Sequence, residues 1–64
     1  MTGDDWIVEA LRASEAERVP VSVQLPGGSW KGVVTRLAEG LVELRDGPRR
    51  IVLRLDRVEA VVSE

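Results

Sequence analysis

The sequence predicts a mainly β domain: one N-terminal helix followed by a small five-stranded bent antiparallel barrel. Three observations carry this. An apolar stripe at helical spacing occupies the first quarter of the chain. Short apolar stretches, several of them alternating, follow it. Each is set off from the next by a glycine-, proline- or aspartate-containing turn.

The helix is expected from about residue 4 to residue 18. Asp4 or Asp5 can cap it, and carboxylates near its start suit the positive end of the helix dipole. Trp6, Ile7, Ala10, Leu11 and Ser14 recur three and four apart and form one narrow stripe. Pro20 ends the helix, because the residue before a proline is pushed towards extended geometry. From Val19 to Leu25 the chain alternates, with Val19, Val21, Val23 and Leu25 on one face. Pro26-Gly27-Gly28 turns it. A second strand from Trp30 to Leu37 places Trp30, Gly32 and Val34 together, and Gly32 marks a bend or bulge. Ala38-Glu39-Gly40 and Asp46-Gly47-Pro48 flank a third strand, Leu41 to Arg45. A fourth strand, Ile51 to Leu55, a corner at Asp56-Arg57 and a fifth strand, Val58 to Val62, complete the barrel over about residues 19–62. The expected core is Ile7, Leu11, Val21, Val23, Leu25, Trp30, Val34, Val42, Leu44, Ile51, Leu53, Leu55 and Val58, with Trp6 on the buried helix stripe.

With 64 residues the chain is one domain, 1–64. A domain this short buries only about 60% of the surface its unfolded chain exposes and leans on a staple. There is no cysteine and no histidine, so disulfides, thiolate metal sites and the commonest general base are excluded. Self-association is the staple that remains. The serines have no partner base, and Pro26-Gly27-Gly28-Ser29 joins two strands instead of opening a helix, so it is no phosphate loop. Neither an enzyme nor a cofactor is expected. No apolar run is long enough to span a membrane, and the acidic N-terminus lacks a signal-peptide pattern, so a cytoplasmic location is expected.

The net charge of −2 opposes strong non-specific nucleic-acid binding, but the charge is uneven. The helix half is acidic. Residues 31–57 are basic, through Lys31, Arg36, Arg45, Arg49, Arg50, Arg54 and Arg57. Arginine suits bidentate contact with phosphate or carboxylate. A solvated strand face of mixed charge is the plainer reading of the same residues.

The junction Glu17-Arg18-Val19-Pro20-Val21-Ser22-Val23, the helix segment from Asp5 to Arg12, the glycine of Gly32-Val33-Val34 and the last strand Val58-Glu59-Ala60-Val61-Val62 resemble the Sm-like superfamily, and within it the bacterial Hfq family. The resemblance implies a homo-oligomeric ring, hexameric in that family, with single-stranded RNA as a ligand. In that family a Lys-His pair grips uridine-rich RNA; Leu55 and Asp56 stand there. The family's stacking tyrosine of the first strand is matched by Gln24, and its other stacking aromatic by the Leu37-to-Leu41 stretch. Arg12 and Arg18 match a basic rim, Asp5 an acidic residue at the helix start, and Lys31 a polar base-contacting position. Arg54 and Arg57 lie close to the missing Lys-His pair. The RNA-binding candidates are therefore Arg12, Arg18, Gln24, Lys31, Arg54 and Arg57. The candidates for the subunit interface are Val52, Arg54, Val61 and Val62, with Val52 and Val61 expected to face away from the core. Two readings stand: a ring that binds RNA through basic contacts with few stacking sites, and an interaction ring for protein partners that does not bind RNA.

Overall fold

The computed structural model describes residues 5–63, apart from the Asp5 side chain; the capping role expected of Asp4 or Asp5 falls outside what is described. Helix α1 spans Asp5–Glu17. Strands β1 (Val21–Leu25), β2 (Gly28–Ala38), β3 (Leu41–Asp46), β4 (Arg49–Arg54) and β5 (Ala60–Ser63) follow, with a 3-10 turn at Leu55–Arg57 before β5. The strands form one antiparallel sheet in the order β4-β3-β2-β1-β5. β4 and β5 are its two edges.

The stripe on α1 packs Ile7, Leu11 and Ser14 onto the sheet. Trp6, expected in that stripe, is 50% exposed: it lies one residue before Ile7, about 100° round the helix, where no strand covers it. The helix ends in a Schellman motif. Arg18 takes a left-handed conformation (φ 59°), and the Val19 N–H donates to the Ser14 carbonyl at 3.3 Å. Val19 therefore belongs to the helix cap and is exposed, and the alternation that was extended back to it begins at Val21.

β2 is the long, bent strand. Its first half pairs with β1 up to Val21↔Gly32; its second half pairs with β3 from Val33↔Arg45, with a bulge between Val34 and Arg36. Gly32 sits at this handover. A Cβ there would lie 2.7 Å from the Arg45 carbonyl oxygen, so only glycine permits this approach. Just past it, the Val34 N–H lies beyond the end of the β1 ladder. It donates instead to Ser14 Oγ (3.1 Å), and the Ser14 hydroxyl donates to the Val19 carbonyl (2.6 Å). One buried hydroxyl thus ties the helix end, the entry to β1 and the bend of β2 together.

The β2–β3 loop is Glu39-Gly40, with φ 56° and 75°, matching a type I′ hairpin. The β3–β4 loop is Gly47-Pro48, one residue shorter than the expected turn; glycine supplies the positive φ (62°) and proline the negative one. The Leu55 N–H donates to the Gly40 carbonyl at 2.8 Å, so the 3-10 turn is pinned to the β2–β3 hairpin.

The core comprises Ile7, Leu11, Val21, Val23, Val34, Val42, Leu44, Ile51, Val58 and Val61, with Ala10, Leu25, Leu37, Leu53 and Leu55 packed half-buried against it. Two expectations are corrected. Trp30 faces the same side as Val23, its register partner, but lies near the hairpin end of β2, away from the helix, and is 41% exposed. Val61 was expected to face outward and is buried. Val58 and Glu59 precede β5, so the strand starts in a new phase at Ala60, and Val61 pairs with inward-facing Val23.

Ser14→Ala removes an acceptor from the buried Val34 N–H and a donor from the Val19 carbonyl. It should cost about 1–3 kcal/mol in urea-unfolding measurements. Conversely, Ala13→Ser, one position along and exposed, should leave the midpoint within about 0.5 kcal/mol.

Candidate functional site

Three surfaces collect the chemistry. The first is the outer face of β2's second half, β3 and β4. With Val42 and Leu44 inward, Leu41, Glu43 and Arg45 face out; with Ile51 inward, Arg50, Val52 and Arg54 face out. Register aligns Val33, Arg45 and Arg50 in one row, and Arg36, Glu43 and Val52 in the next. Arg45 and Arg50 are direct cross-strand partners of like charge, an arrangement that is unfavourable unless an anion lies nearby. Glu43 supplies one carboxylate: Thr35 Oγ1 donates to it at 2.9 Å, and Arg50 Nε lies 3.9 Å away. Arg18 reaches the same region from the helix end, and with Val33, Thr35, Glu43 and Arg45 it lines a depression of about 400 Å3. A left-handed conformation at a non-glycine residue is strained. Here the strained residue carries a guanidinium into the depression that Arg45 also lines.

The second surface is the outer face of β1, β5 and β2's first half. Register sets Lys31, Ser22 and Val62 in one row and Ser29, Gln24 and Ala60 in another. Gln24, Lys31 and Val62 are all exposed there.

The third is a cleft of about 520 Å3 between α1, the β2–β3 hairpin and the 3-10 turn. Ile7, Val8, Leu41, Leu55 and Val58 give it apolar walls. Glu39, Arg54 and Asp56 stand at its polar side, with Arg54 and Asp56 paired at 3.3 Å.

The sequence candidates divide among these surfaces. Arg18 is on the first, Gln24 and Lys31 on the second, Arg54 in the third. Arg12 is exposed on α1 and Arg57 on the 3-10 turn. Of the interface candidates, Val52 and Val62 are exposed on different faces (55% and 47%), and the Val61 side chain is in the core. The Arg45–Arg50 pair was not among the candidates. Its signal was the two-residue loop Gly47-Pro48, which fixes Asp46 opposite Arg49 and hence Arg45 opposite Arg50. Among the described residues, no cluster of three potential metal ligands occurs, and no helix is long and apolar enough to cross a membrane.

A crystal structure of the pleiotropic translational regulator Hfq superposes on the whole chain, covering 100% of it and 98% of the Hfq chain, with a TM-score of 0.80. The chain has the Sm-like fold. The overlay extends over the helix and all five strands of this chain. Sequence identity is 18%, which carries the fold and not the activity. No family model matches the sequence, and no curated protein matches it.

Arg18→Gly relieves the left-handed strain at about the cost in chain entropy that glycine brings. Stability should stay level or rise by up to about 1 kcal/mol, which a thermal melt checks.

Proposed function

We propose that this protein is a subunit of a closed homo-oligomeric ring that binds single-stranded RNA through arginine–phosphate contacts in the cytoplasm. The observation that carries the RNA reading is the like-charge pair Arg45–Arg50, with Arg18 and Arg36 beside it on one face. Guanidinium groups so placed suit the oxygens of successive phosphates. Base stacking is a smaller part of this binding. Gln24 replaces an aromatic ring on the β1 face, and Trp6 and Trp30 are the only aromatic residues in the chain. A ring repeats each weak contact, so avidity compensates for modest affinity per subunit.

The ring reading rests on the two sheet edges. Among the described residues, β4 and β5 each pair with one neighbouring strand and form the two edges of the sheet. Pairing β4 of one subunit with β5 of the next satisfies both, and a head-to-tail contact of this kind closes when the rotation per subunit divides the circle. Six subunits is the number implied by the likeness to Hfq. Val52 and Val62, exposed on these strands, are the interface side chains. An interaction ring for protein partners is the second reading, favoured by the acidic groups of the cleft.

Light scattering at micromolar concentration should give a mass that is a multiple of 7.0 kDa. Backbone amides of β4 and β5 should resist hydrogen exchange in the assembly and lose that protection on dilution; a 7.0 kDa particle with freely exchanging edges rules the ring out. For RNA, anisotropy of oligouridylate and oligoadenylate at about 50 and about 200 mM salt should show binding that weakens steeply with salt. Arg45→Ala should reduce the salt slope by about one unit. Absence of binding at the lower salt eliminates the RNA reading and leaves the protein-partner ring.

A further inference from the structure

The cleft of about 520 Å3 is chemically unlike the arginine face. We propose that the cleft between α1, the β2–β3 hairpin and the 3-10 turn is a docking site for a short basic segment of a partner protein, seating an aliphatic side chain with a lysine or arginine next to it.

Ile7, Val8, Leu41, Leu55 and Val58 present aliphatic carbon to the cleft, and no aromatic ring lines it, so a base entering there has nothing to stack on. The backbone offers little to read a base edge. The Gly40 carbonyl already accepts from the Leu55 N–H (2.8 Å), and the Leu55 carbonyl from the Val58 N–H (3.1 Å). The charges also disfavour a phosphate. Among the described residues, Glu39 and Asp56 both line the cleft, and its one cation, Arg54, is already paired with Asp56. The balance of these residues is one negative charge, with Glu39 left to meet an incoming cation. Glu39 is also one of two non-glycine residues with positive φ among those described (56°), in a hairpin loop where glycine or asparagine would sit with less strain. The chain thus holds a carboxylate at the mouth of its apolar cleft against local backbone preference. An aliphatic group flanked by ammonium or guanidinium matches both features, and a cavity of about 520 Å3 is within the usual size of ligand sites.

This proposal does not rest on RNA binding, and its test is separate. Random peptides displayed on phage are selected against the full-length chain, and the enriched sequence is synthesised with a fluorophore for anisotropy. The expected result is enrichment of leucine or isoleucine beside lysine or arginine. Glu39→Asn with Asp56→Asn should then weaken the peptide about tenfold, because it removes the Glu39 contact and leaves Arg54 as an unpaired cation in the cleft. Asparagine tolerates the left-handed loop position and both sites are exposed, so folding is preserved; an unchanged thermal melt verifies it. Glu39→Lys with Asp56→Lys should turn the selection towards acidic peptides. The proposal is overturned by a selection that enriches nothing, or enriches acidic or uncharged peptides on the unaltered chain. It is equally overturned by affinity that ignores the loss of both carboxylates. Direct binding of oligouridylate that tightens with the same double asparagine variant, while the peptide does not bind, would assign the cleft to RNA instead.

Discussion

The bend of β2 depends on one hydroxyl group. A strand that leaves one partner for another has a backbone N–H at the handover with no ladder to join, and burying it unpaired would cost about 1–3 kcal/mol. Ser14 Oγ accepts from that N–H, at Val34, and passes its own proton to the carbonyl of Val19. The same residue's carbonyl closes the Schellman cap. The helix is therefore hydrogen-bonded to the sheet at its bend as well as packed against it. Gly32 is the steric half of this constraint, because any side chain there meets the Arg45 carbonyl. Hydroxyl and glycine together let a single sheet fold over its own core, with the helix covering part of it.

Bending the sheet this way separates its surfaces. The β1–β5 half presents Gln24, Lys31 and Val62; the β3–β4 half presents the arginines and Glu43; the hairpin and the 3-10 turn meet α1 around the aliphatic cleft. Net charge describes none of them. An overall value of −2 combines an arginine-rich face with a carboxylate-bearing cleft. The two suit opposite partners, although they meet at Leu41 and Arg54, where β3 and β4 border both.

Strain is placed at the same surfaces. Arg18 and Glu39 are the non-glycine residues with positive φ among those described; one borders the arginine face and the other the cleft. Each sits where glycine would be the easier choice, at the end of a helix or in a tight hairpin. In each case the strained position carries a charge into a depression. This coincidence ties local backbone geometry to the two proposed binding surfaces more directly than composition does.

Element types and order were readable from the chain because each depends on local periodicity. Ile7, Leu11 and Ser14 share a helix face at their spacing, Val21 and Val23 alternate, Gly32 marks the bend, and the Sm-like likeness followed from that order. What failed was whatever depended on phase or distance. Counting from Val58 puts Val61 outward, but Val58 caps the 3-10 turn and the chain joins the β1 ladder only at Ala60, in another phase. Trp6 and Trp30 were assigned to the core by size and spacing, yet hydrophobicity does not say how far a helix or another strand extends over a residue. From the sequence, Arg45 ends the third strand and Arg50 lies just before the fourth; only the pairing register makes them neighbours. Ser14 had the right face and the wrong role, because its partner Val34 is 20 residues away. The sequence by itself determined the helix, the strands and the glycine at the bend, since these follow from nearest-neighbour preferences. Tertiary structure alone decided which charges meet, which aromatic rings stay wet and which hydroxyl holds the bend, since those depend on contacts between segments far apart in the chain.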